Sequence, residues 1–199
     1  MLDRICREVQ ICNPEVLETV IKIAVRIARH TDERSSIGAL FVVGDEEEVL
    51  KRSTPLILDP LAQYPKEVKA IRDANVQGMI SELAKMDGAF VISGDGYVLS
   101  ASRYIETSPR FIDLPMGFGT RHMAAASISR ETDAVAVVVS ENDDVVRIFD
   151  DGELIAEILT EIGDLEMIKP RIKGEYEEIV EKDLNLAVVV KTRTRNEKE

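Results

Sequence analysis

The stretch Gly119-Thr120-Arg121-His122, which stands shortly before a run of alanines, combines residue types that suit an anionic ligand. It predicts a loop that turns into a helix, with the Thr120 hydroxyl as the N-cap. The first N–H groups of a helix point outward, and the helix dipole adds positive charge there. Arg121 adds a forked donor for phosphate oxygens, His122 adds another donor, and Gly119 lets a ligand approach the backbone. The stretch therefore predicts a phosphate site, although a capped helix with Arg121 in a structural ion pair fits the same residues.

Acidic residues stand at two predicted strand ends. Asp87-Gly88 precedes an apolar run that begins at Ala89, and there Asp87 could bind a metal or accept a proton from a sugar hydroxyl. Ser140-Glu141 follows the apolar run AVAVVV, and ligands usually bind where the strands of an α/β sheet end. Each stretch could equally be an ordinary turn, so neither establishes a site by itself.

The composition limits the class of protein. The chain has 199 residues, of which 45% are hydrophobic and 31% charged, as in globular proteins. Its net charge of −12 disfavours nucleic-acid binding, because the nucleic-acid backbone is also negative. No apolar run reaches the roughly 20 residues that span a bilayer, and the N-terminus lacks the apolar core of a signal peptide. Cys6 and Cys12, the only cysteines, form neither a disulfide framework nor a zinc cluster. We therefore expect a cytoplasmic protein with reduced thiols and with neither nucleic-acid nor membrane partners.

Hydrophobic periodicity and turn residues predict the elements that position these residues. Helices are expected at 14–29 (capped by Asn13), at 66–85 with a break near 75–78, at 120–129 and from 152 onward. Strands are expected at 37–43, 89–92, 97–101, 134–140 and 145–149, with a hairpin at 93–96 and a last edge strand at 184–190; loops are expected at 51–65 and 103–118. This mixture predicts an α/β fold, a single domain with a central mixed β-sheet flanked by helices.

Three motifs in this order resemble the diadenylate cyclase family. They are DGA at 87–89, GTRH at 119–122 followed by small residues, and TDAVAVVVSE at 132–141. The resemblance extends to IGALFVVGD at 37–45 and ELAKMDGA at 82–89, and it covers roughly residues 35–150. It implies a diadenylate cyclase-type fold and an archaeal-type member. The expected division is an N-terminal helical segment at 1–34, the cyclase domain at 35–170 and a charged C-terminal extension at 171–199.

In this family two ATP molecules are condensed to cyclic di-AMP with release of two pyrophosphates. The reaction uses Mn²⁺ or Mg²⁺, and the sites of two subunits face each other. The resemblance implies that Asp87, Gly88, Arg121 and His122 are catalytic, with Asp87 near the attacking 3′-hydroxyl and Asp87 and Glu141 at the metal. The implied substrate-binding residues are Gly119, Thr120, Ser140 and Glu141 on the phosphate side, and Tyr104, Ile105, Leu40 and Phe41 around the adenine.

The sequence departs from the family pattern at one position. The motif usually reads Arg-His-Arg, and here Met123 stands in place of the second arginine. Methionine cannot pair with phosphate, which favours an alternative hypothesis: a non-catalytic module that senses ATP or cyclic di-AMP. A nucleotidyltransferase that uses another acceptor is a third possibility, and the identity of the product distinguishes it.

Overall fold

The computed structural model describes residues 5, 13–29, 37–56, 58–108 and 112–192. Within these ranges the four α-helices are α1 (Pro14–Arg29), α2 (Glu46–Lys51), α3 (Ala74–Leu83) and α4 (Thr120–Glu131). The nine strands are β1 (Ala39–Val43), β2 (Ser53–Pro55), β3 (Ala89–Ile92), β4 (Val98–Ile105), β5 (Val135–Val139), β6 (Val146–Asp150), β7 (Glu153–Leu159), β8 (Tyr176–Glu181) and β9 (Leu186–Lys191).

All nine strands form one mixed sheet in the order β2-β4-β3-β1-β5-β6-β7-β9-β8. β1 and β3 run parallel, and every other neighbouring pair runs antiparallel. The predicted fold class, a single α/β domain with a central mixed sheet flanked by helices, is confirmed. The expected helix at 14–29 is also confirmed, and Asn13 Oδ1 accepts a hydrogen bond from the Glu15 N–H at 3.0 Å, as an N-cap residue does.

Two hydrophobic layers lie on opposite faces of the sheet. The layer beneath α1 and α3 includes Phe41 and Val43, whereas the layer beneath α4 includes Leu40 and Val42. Successive residues of a strand point to opposite faces, which explains this division of β1. In α4 the consecutive residues Ala125 and Ala126 are fully buried, so this helix packs closely on the sheet.

The register brings three chain segments to one edge of the sheet. The start of β1 lies beside the start of β3, with Leu40 opposite Ala89, and beside the end of β5, with Ala39 opposite Val139. Asp87-Gly88 just before β3 and Ser140-Glu141 just after β5 therefore lie at the same edge. The first turn of α4 approaches this edge from one face.

The helix predicted from residue 152 onward is wrong, because this segment is strand β7. Asp151 and Gly152 have φ values of 50° and 78° and form a two-residue turn between paired residues Asp150 and Glu153. A turn with positive φ at both residues matches the twist of a hairpin, and Asp-Gly is the sequence that favours it. The apolar spacing of the segment fits a helix as well as a strand that is buried on both faces, so periodicity alone did not distinguish them.

Other predictions for the segments between these elements need correction. The expected helix at 66–85 is a short 3₁₀ helix at Lys66–Val68 followed by α3, whose N-cap is Asp73. The expected loop at 51–65 contains β2, and β4 continues into the expected loop at 103–118.

The last predicted strand, at 184–190, exists as β9, but it is not at the edge. β9 pairs with β7 on one side and β8 on the other, so β8 is the edge strand. Cys6 and Cys12 lie outside the described residues, as does much of the segment at 1–34.

The β6–β7 turn predicts the effect of one substitution. A Cβ at Gly152 would lie 3.0 Å from Cβ of Arg130, and the φ of +78° disfavours any side chain. We expect Gly152→Ala to lower the free energy of unfolding by roughly 1–3 kcal/mol. The matched control is Gly78→Ala in α3, where a Cβ meets nothing within 4 Å and should stabilise the helix by about 1 kcal/mol. Urea unfolding measures both, and a Gly152→Ala midpoint equal to wild type would contradict the assignment.

Candidate active site

Arg121 joins two carboxylates from distant parts of the chain. Its Nη2 donates a hydrogen bond to Asp87 Oδ1 at 2.9 Å, and its Nη1 donates one to Glu141 Oε2 at 2.8 Å. The Arg121 side chain is 29% exposed, whereas those of Asp87 and Glu141 are 85% and 50% exposed. Both carboxylates can therefore contact a ligand in solvent, whereas the guanidinium is largely covered by protein.

Gly38, the residue before β1, makes room for this arrangement. A Cβ at position 38 would lie 2.7 Å from Nη1 of Arg121 and 3.2 Å from Cβ of Glu141. A side chain there would displace the guanidinium from the sheet edge.

A pocket of about 370 Å³ opens beside Arg121. Its lining includes seven of the predicted site residues: Leu40, Asp87, Gly88, Tyr104, Ile105, Thr120 and Arg121. It also includes residues that the sequence did not indicate as ligand contacts: Leu56, Ala89, Arg103, Thr107, Met123 and Ala124. The apolar side chains of the lining, together with the charges of Asp87 and Arg121, suit a ligand that has an apolar ring and an anionic group.

Gly88 is required by the close approach of β4. Its φ is +105°, and a Cβ there would lie 2.5 Å from the carbonyl carbon of Ser102. Ser102 itself has a φ of 54°, at an irregularity in the pairing of β3 with β4. The glycine therefore allows the β4 backbone to close the pocket next to Asp87.

Two predictions about individual residues are corrected here. α4 begins at Thr120, and its N-cap is the extended residue Gly119, so Thr120 is not the N-cap and instead lines the pocket. Phe41 does not line the pocket, because it is fully buried on the opposite face of β1, where its ring stacks on Phe90 at 5.1 Å.

His122 lies beneath the site rather than in the pocket lining. It is 7% exposed, its ring stacks on Phe118 at 4.5 Å, and its Nε2 has no hydrogen-bond partner among the described residues. Burial is the main cause that lowers the pKa of His122, and the positive charge of Arg147 also lowers it, although Asp143 opposes this; the resulting pKa is about 4. The imidazole is therefore neutral at pH 7.

Ser140 is also buried, next to a group of ionic side chains. Ser140 does not line the pocket beside Arg121, and it stands three residues before Asp143, whose carboxylate accepts two hydrogen bonds from Arg147. Burial alone would raise the pKa of Asp143, but the hydrogen bonds and the positive charge of Arg147 outweigh it and lower the pKa to about 2. Sequence reasoning gave Arg147 no role; the signal was an arginine in the strand VRIFD opposite Glu157 of the strand ELIAEIL.

A divalent metal would have to be shared with a ligand. Within the described ranges no three His, Cys, Asp or Glu side chains cluster as a metal site. Asp87 and Glu141, both bound to Arg121, supply two hard oxygen ligands from opposite sides of one guanidinium. These residues fit Mg²⁺ or Mn²⁺, because such ions are commonly held by one or two carboxylates together with substrate phosphates.

Most of the chain is similar to known proteins. Residues 26–154 match the family model described as DisA bacterial checkpoint controller nucleotide-binding. A diadenylate cyclase of Methanocaldococcus jannaschii is 44% identical over 141 residues, which are 71% of this chain and 44% of that protein. A diadenylate cyclase of Haloferax volcanii is 40% identical over 146 residues, 73% of this chain and 53% of that protein. The chain thus spans about half the length of the curated relatives it matches.

A solved structure that matches this chain shares its fold. It is titled as a hypothetical membrane spanning protein from Bacillus cereus, with a TM-score of 0.53, 19% identity, and coverage of 70% of this chain and 62% of that one. In the present chain, none of the described helices is long and apolar enough to cross a membrane.

Acid should destabilise the protein in part through His122. Its folded-state pKa of about 4 lies below its ordinary value of 6.5, so the unfolded chain takes up a proton first as the pH falls. The stability that the neutral imidazole contributes is complete above about pH 6.5 and is lost progressively down to about pH 4. From about pH 7 to about pH 4.5, wild type should lose roughly 2–3 kcal/mol more unfolding free energy than His122→Phe, which keeps the aromatic stack. Urea unfolding at both pH values tests this, and equal losses would contradict it.

Proposed function

Because the chain belongs to the diadenylate cyclase (DAC) family of DisA-type nucleotide-binding domains, we propose that it condenses two ATP molecules into cyclic di-AMP and two pyrophosphates. The observation that carries the proposal is that Arg121 binds both Asp87 and Glu141 beside a pocket whose lining combines apolar side chains with Arg121 and Asp87. Both curated relatives described above are named diadenylate cyclase, which supports the same reaction.

In this proposal each chain holds one ATP. Leu40, Tyr104 and Ile105 contact the adenosine, and the pocket volume of about 370 Å³ suits one small ligand. Arg121 binds the triphosphate, since a planar guanidinium matches phosphate oxygens. Its ion pairs with Asp87 and Glu141 are solvent-exposed and hence weak, so the carboxylates can rearrange when a nucleotide arrives.

The reaction forms one phosphodiester bond per ATP. The 3′-oxygen of one ATP bonds to the α-phosphorus of the other, the bond from that phosphorus to the bridging oxygen breaks, and pyrophosphate leaves. Asp87 accepts the hydroxyl proton, and Arg121 stabilises the charge that develops on the phosphates. A second transfer in the opposite direction closes the ring.

Asp87 and Glu141 would hold Mn²⁺ or Mg²⁺ together with the phosphates. When bound, the ion neutralises phosphate charge and orients the triphosphate. Because one chain offers one such pocket to the substrate, we propose that two chains pair with their pockets face to face. We also propose that the reaction takes place in the cytoplasm.

A specific observation favours the alternative of a non-catalytic sensing module. Met123, which replaces the expected arginine, lines the pocket, so the site lacks one cation that could grip the triphosphate. A sensor would bind ATP or cyclic di-AMP without turnover.

Replacing the proposed proton acceptor tests the cyclase proposal. Asp87→Asn should leave ATP affinity largely intact and lower the rate of cyclic di-AMP formation by roughly 10²–10⁴-fold, as expected when an acid-base group is lost. The matched control is Asp151→Asn, another exposed carboxylate in an arginine ion pair, at the β6–β7 turn. Calorimetry gives the affinity, and mass spectrometry of the nucleotides gives the rate. An Asp87→Asn rate near that of wild type would exclude the proposed role.

Restoring the missing cation tests the effect of Met123. Met123→Arg should lower the KM for ATP roughly tenfold, because a charge-assisted hydrogen bond contributes about 1.5–3 kcal/mol. Met167→Arg, which makes the same change at an exposed position outside the pocket lining, should leave KM unchanged. If both variants shift KM equally, the effect is one of net charge and not of this site.

A further inference from the structure

Arg103 of β4 is a second arginine in the lining of the pocket beside Arg121. It is paired with Ala89 of β3, which belongs to the apolar layer beneath α4. Directly paired residues point to the same face of a sheet, so the Arg103 side chain lies on the pocket face. On β4 it stands next to Tyr104 and Ile105, the residues proposed above to contact the adenosine. Arg103 therefore lies in the part of the pocket proposed for the base.

Four hydrogen bonds hold the Arg103 guanidinium. Its Nε donates to Ser53 Oγ at 2.8 Å, and its Nη1 donates to Ser100 Oγ at 3.1 Å. Its Nη2 donates to the backbone oxygens of Ser53 at 2.6 Å and Leu50 at 3.4 Å. None of these acceptors is a carboxylate, in contrast to those of Arg121. The acceptors belong to α2, β2 and β4, so three elements fix the position of the guanidinium.

The two serine hydroxyls are themselves oriented. Ser53 Oγ donates its proton to the backbone oxygen of Val49 at 2.7 Å, and Ser100 Oγ donates its proton to the Asp59 carboxylate. A hydroxyl has a single proton, so each serine can only accept a hydrogen bond from Arg103. Both serines are buried. The orientation of the guanidinium is therefore set before a ligand arrives.

The guanidinium keeps one donor for a ligand. An arginine has one N–H on Nε and two on each Nη, so the hydrogen bonds above leave one Nη1 N–H of Arg103 without an acceptor in the part of the chain that the structure describes. Burial lowers the pKa of Arg103, although the negative charge of Asp59 opposes this. Because the group is partly withdrawn from water, a ligand that fills the pocket has to offer this N–H an acceptor or lose binding free energy.

We propose that Arg103 determines the specificity for the base, with its remaining Nη1 N–H donating to an unprotonated ring nitrogen of adenine. This inference rests on the proposed function, because it assumes that the adenosine of ATP lies beside Tyr104 and Ile105. Adenine presents such nitrogens at N1, N3 and N7. A fixed donor in a confined pocket strongly disfavours an analogue that lacks the matching acceptor, since the donor is then left unpaired.

Arg103 also supports the end of α2, so its loss could act through the structure alone. A cation near the last carbonyl groups of a helix stabilises that helix. Arg52 offers a matched control, because its Nη1 donates to the backbone oxygen of Glu48 at 3.4 Å, at the same end of α2. Unlike Arg103, it is not among the described residues that line the pocket.

The first test changes the protein and the ligand together. Calorimetry measures the affinities of wild type and Arg103→Met for Mg²⁺-ATP and for its 1-deaza, 3-deaza and 7-deaza analogues, each of which lacks one ring nitrogen. Wild type should bind the analogue without the accepting nitrogen roughly tenfold more weakly than ATP, whereas Arg103→Met should bind that analogue and ATP equally. If Arg103→Met weakens all four nucleotides by the same factor, or none of them, the proposal is wrong, because a structural effect does not depend on a ring nitrogen.

Two further variants complete the test. Arg103→Lys keeps the positive charge and a donor for Ser53, but it should also lose the discrimination against the deaza analogue, because a single ammonium cannot bind both serines and the base. Arg52→Met should discriminate as wild type does. Discrimination that survives in Arg103→Lys, or that disappears in Arg52→Met, would contradict the role of the Arg103 guanidinium. Thermal unfolding verifies that each variant is folded at the assay temperature.

The two proposals fail in distinguishable ways. If wild type binds ATP but forms no cyclic di-AMP, the cyclase proposal fails, and the deaza analogues still decide whether Arg103 contacts the base. If wild type binds no ATP, both are excluded.

Discussion

The hydrogen bonds from one guanidinium, Arg121, to Asp87 and Glu141 are the constraint on which the site depends. They require that three chain segments meet within one side-chain length: the turn before β3, the end of β5 and the first turn of α4. The parallel pairing of β1 with β3 and the antiparallel pairing of β1 with β5 satisfy this requirement, because they place the start of two strands and the end of a third at one edge. Gly38 then leaves the space that the guanidinium occupies.

The two faces of the sheet contribute differently to this edge. On one face, α1 and α3 cover a conventional apolar layer. On the other, the small residues of α4 allow close packing, and the helix carries Arg121 to the edge while burying the neutral His122 beneath it. On this face Arg147 of β6 pairs with Asp143 and with Glu157 of β7, and its guanidinium lies over the Phe118 ring. The site is thus supported by the apolar packing of α4 and by the ion pairs of the buried Arg147.

The sequence predicted those features that depend on local pattern. Turn residues and short motifs predicted the α/β fold and placed Asp87 and Glu141 at strand ends, because these signals lie within a few residues of each other. The strand β7 was predicted as a helix, because an apolar run that is buried on both faces has no distinct period. The burial of Phe41 away from the pocket depends on which face of β1 packs against α4. The pairing of Arg147 with Glu157 depends on the register of β6 with β7. Both are properties of the assembled sheet.

The most direct test of the account is the reaction of the purified protein with an equal mixture of unlabelled and ¹⁵N-labelled ATP in the presence of Mn²⁺, followed by mass spectrometry. The account predicts pyrophosphate and cyclic di-AMP in which the species with one labelled and one unlabelled adenine is the most abundant, since each product molecule draws on two ATP molecules. Unchanged ATP, or a product that carries a single adenosine, would contradict it.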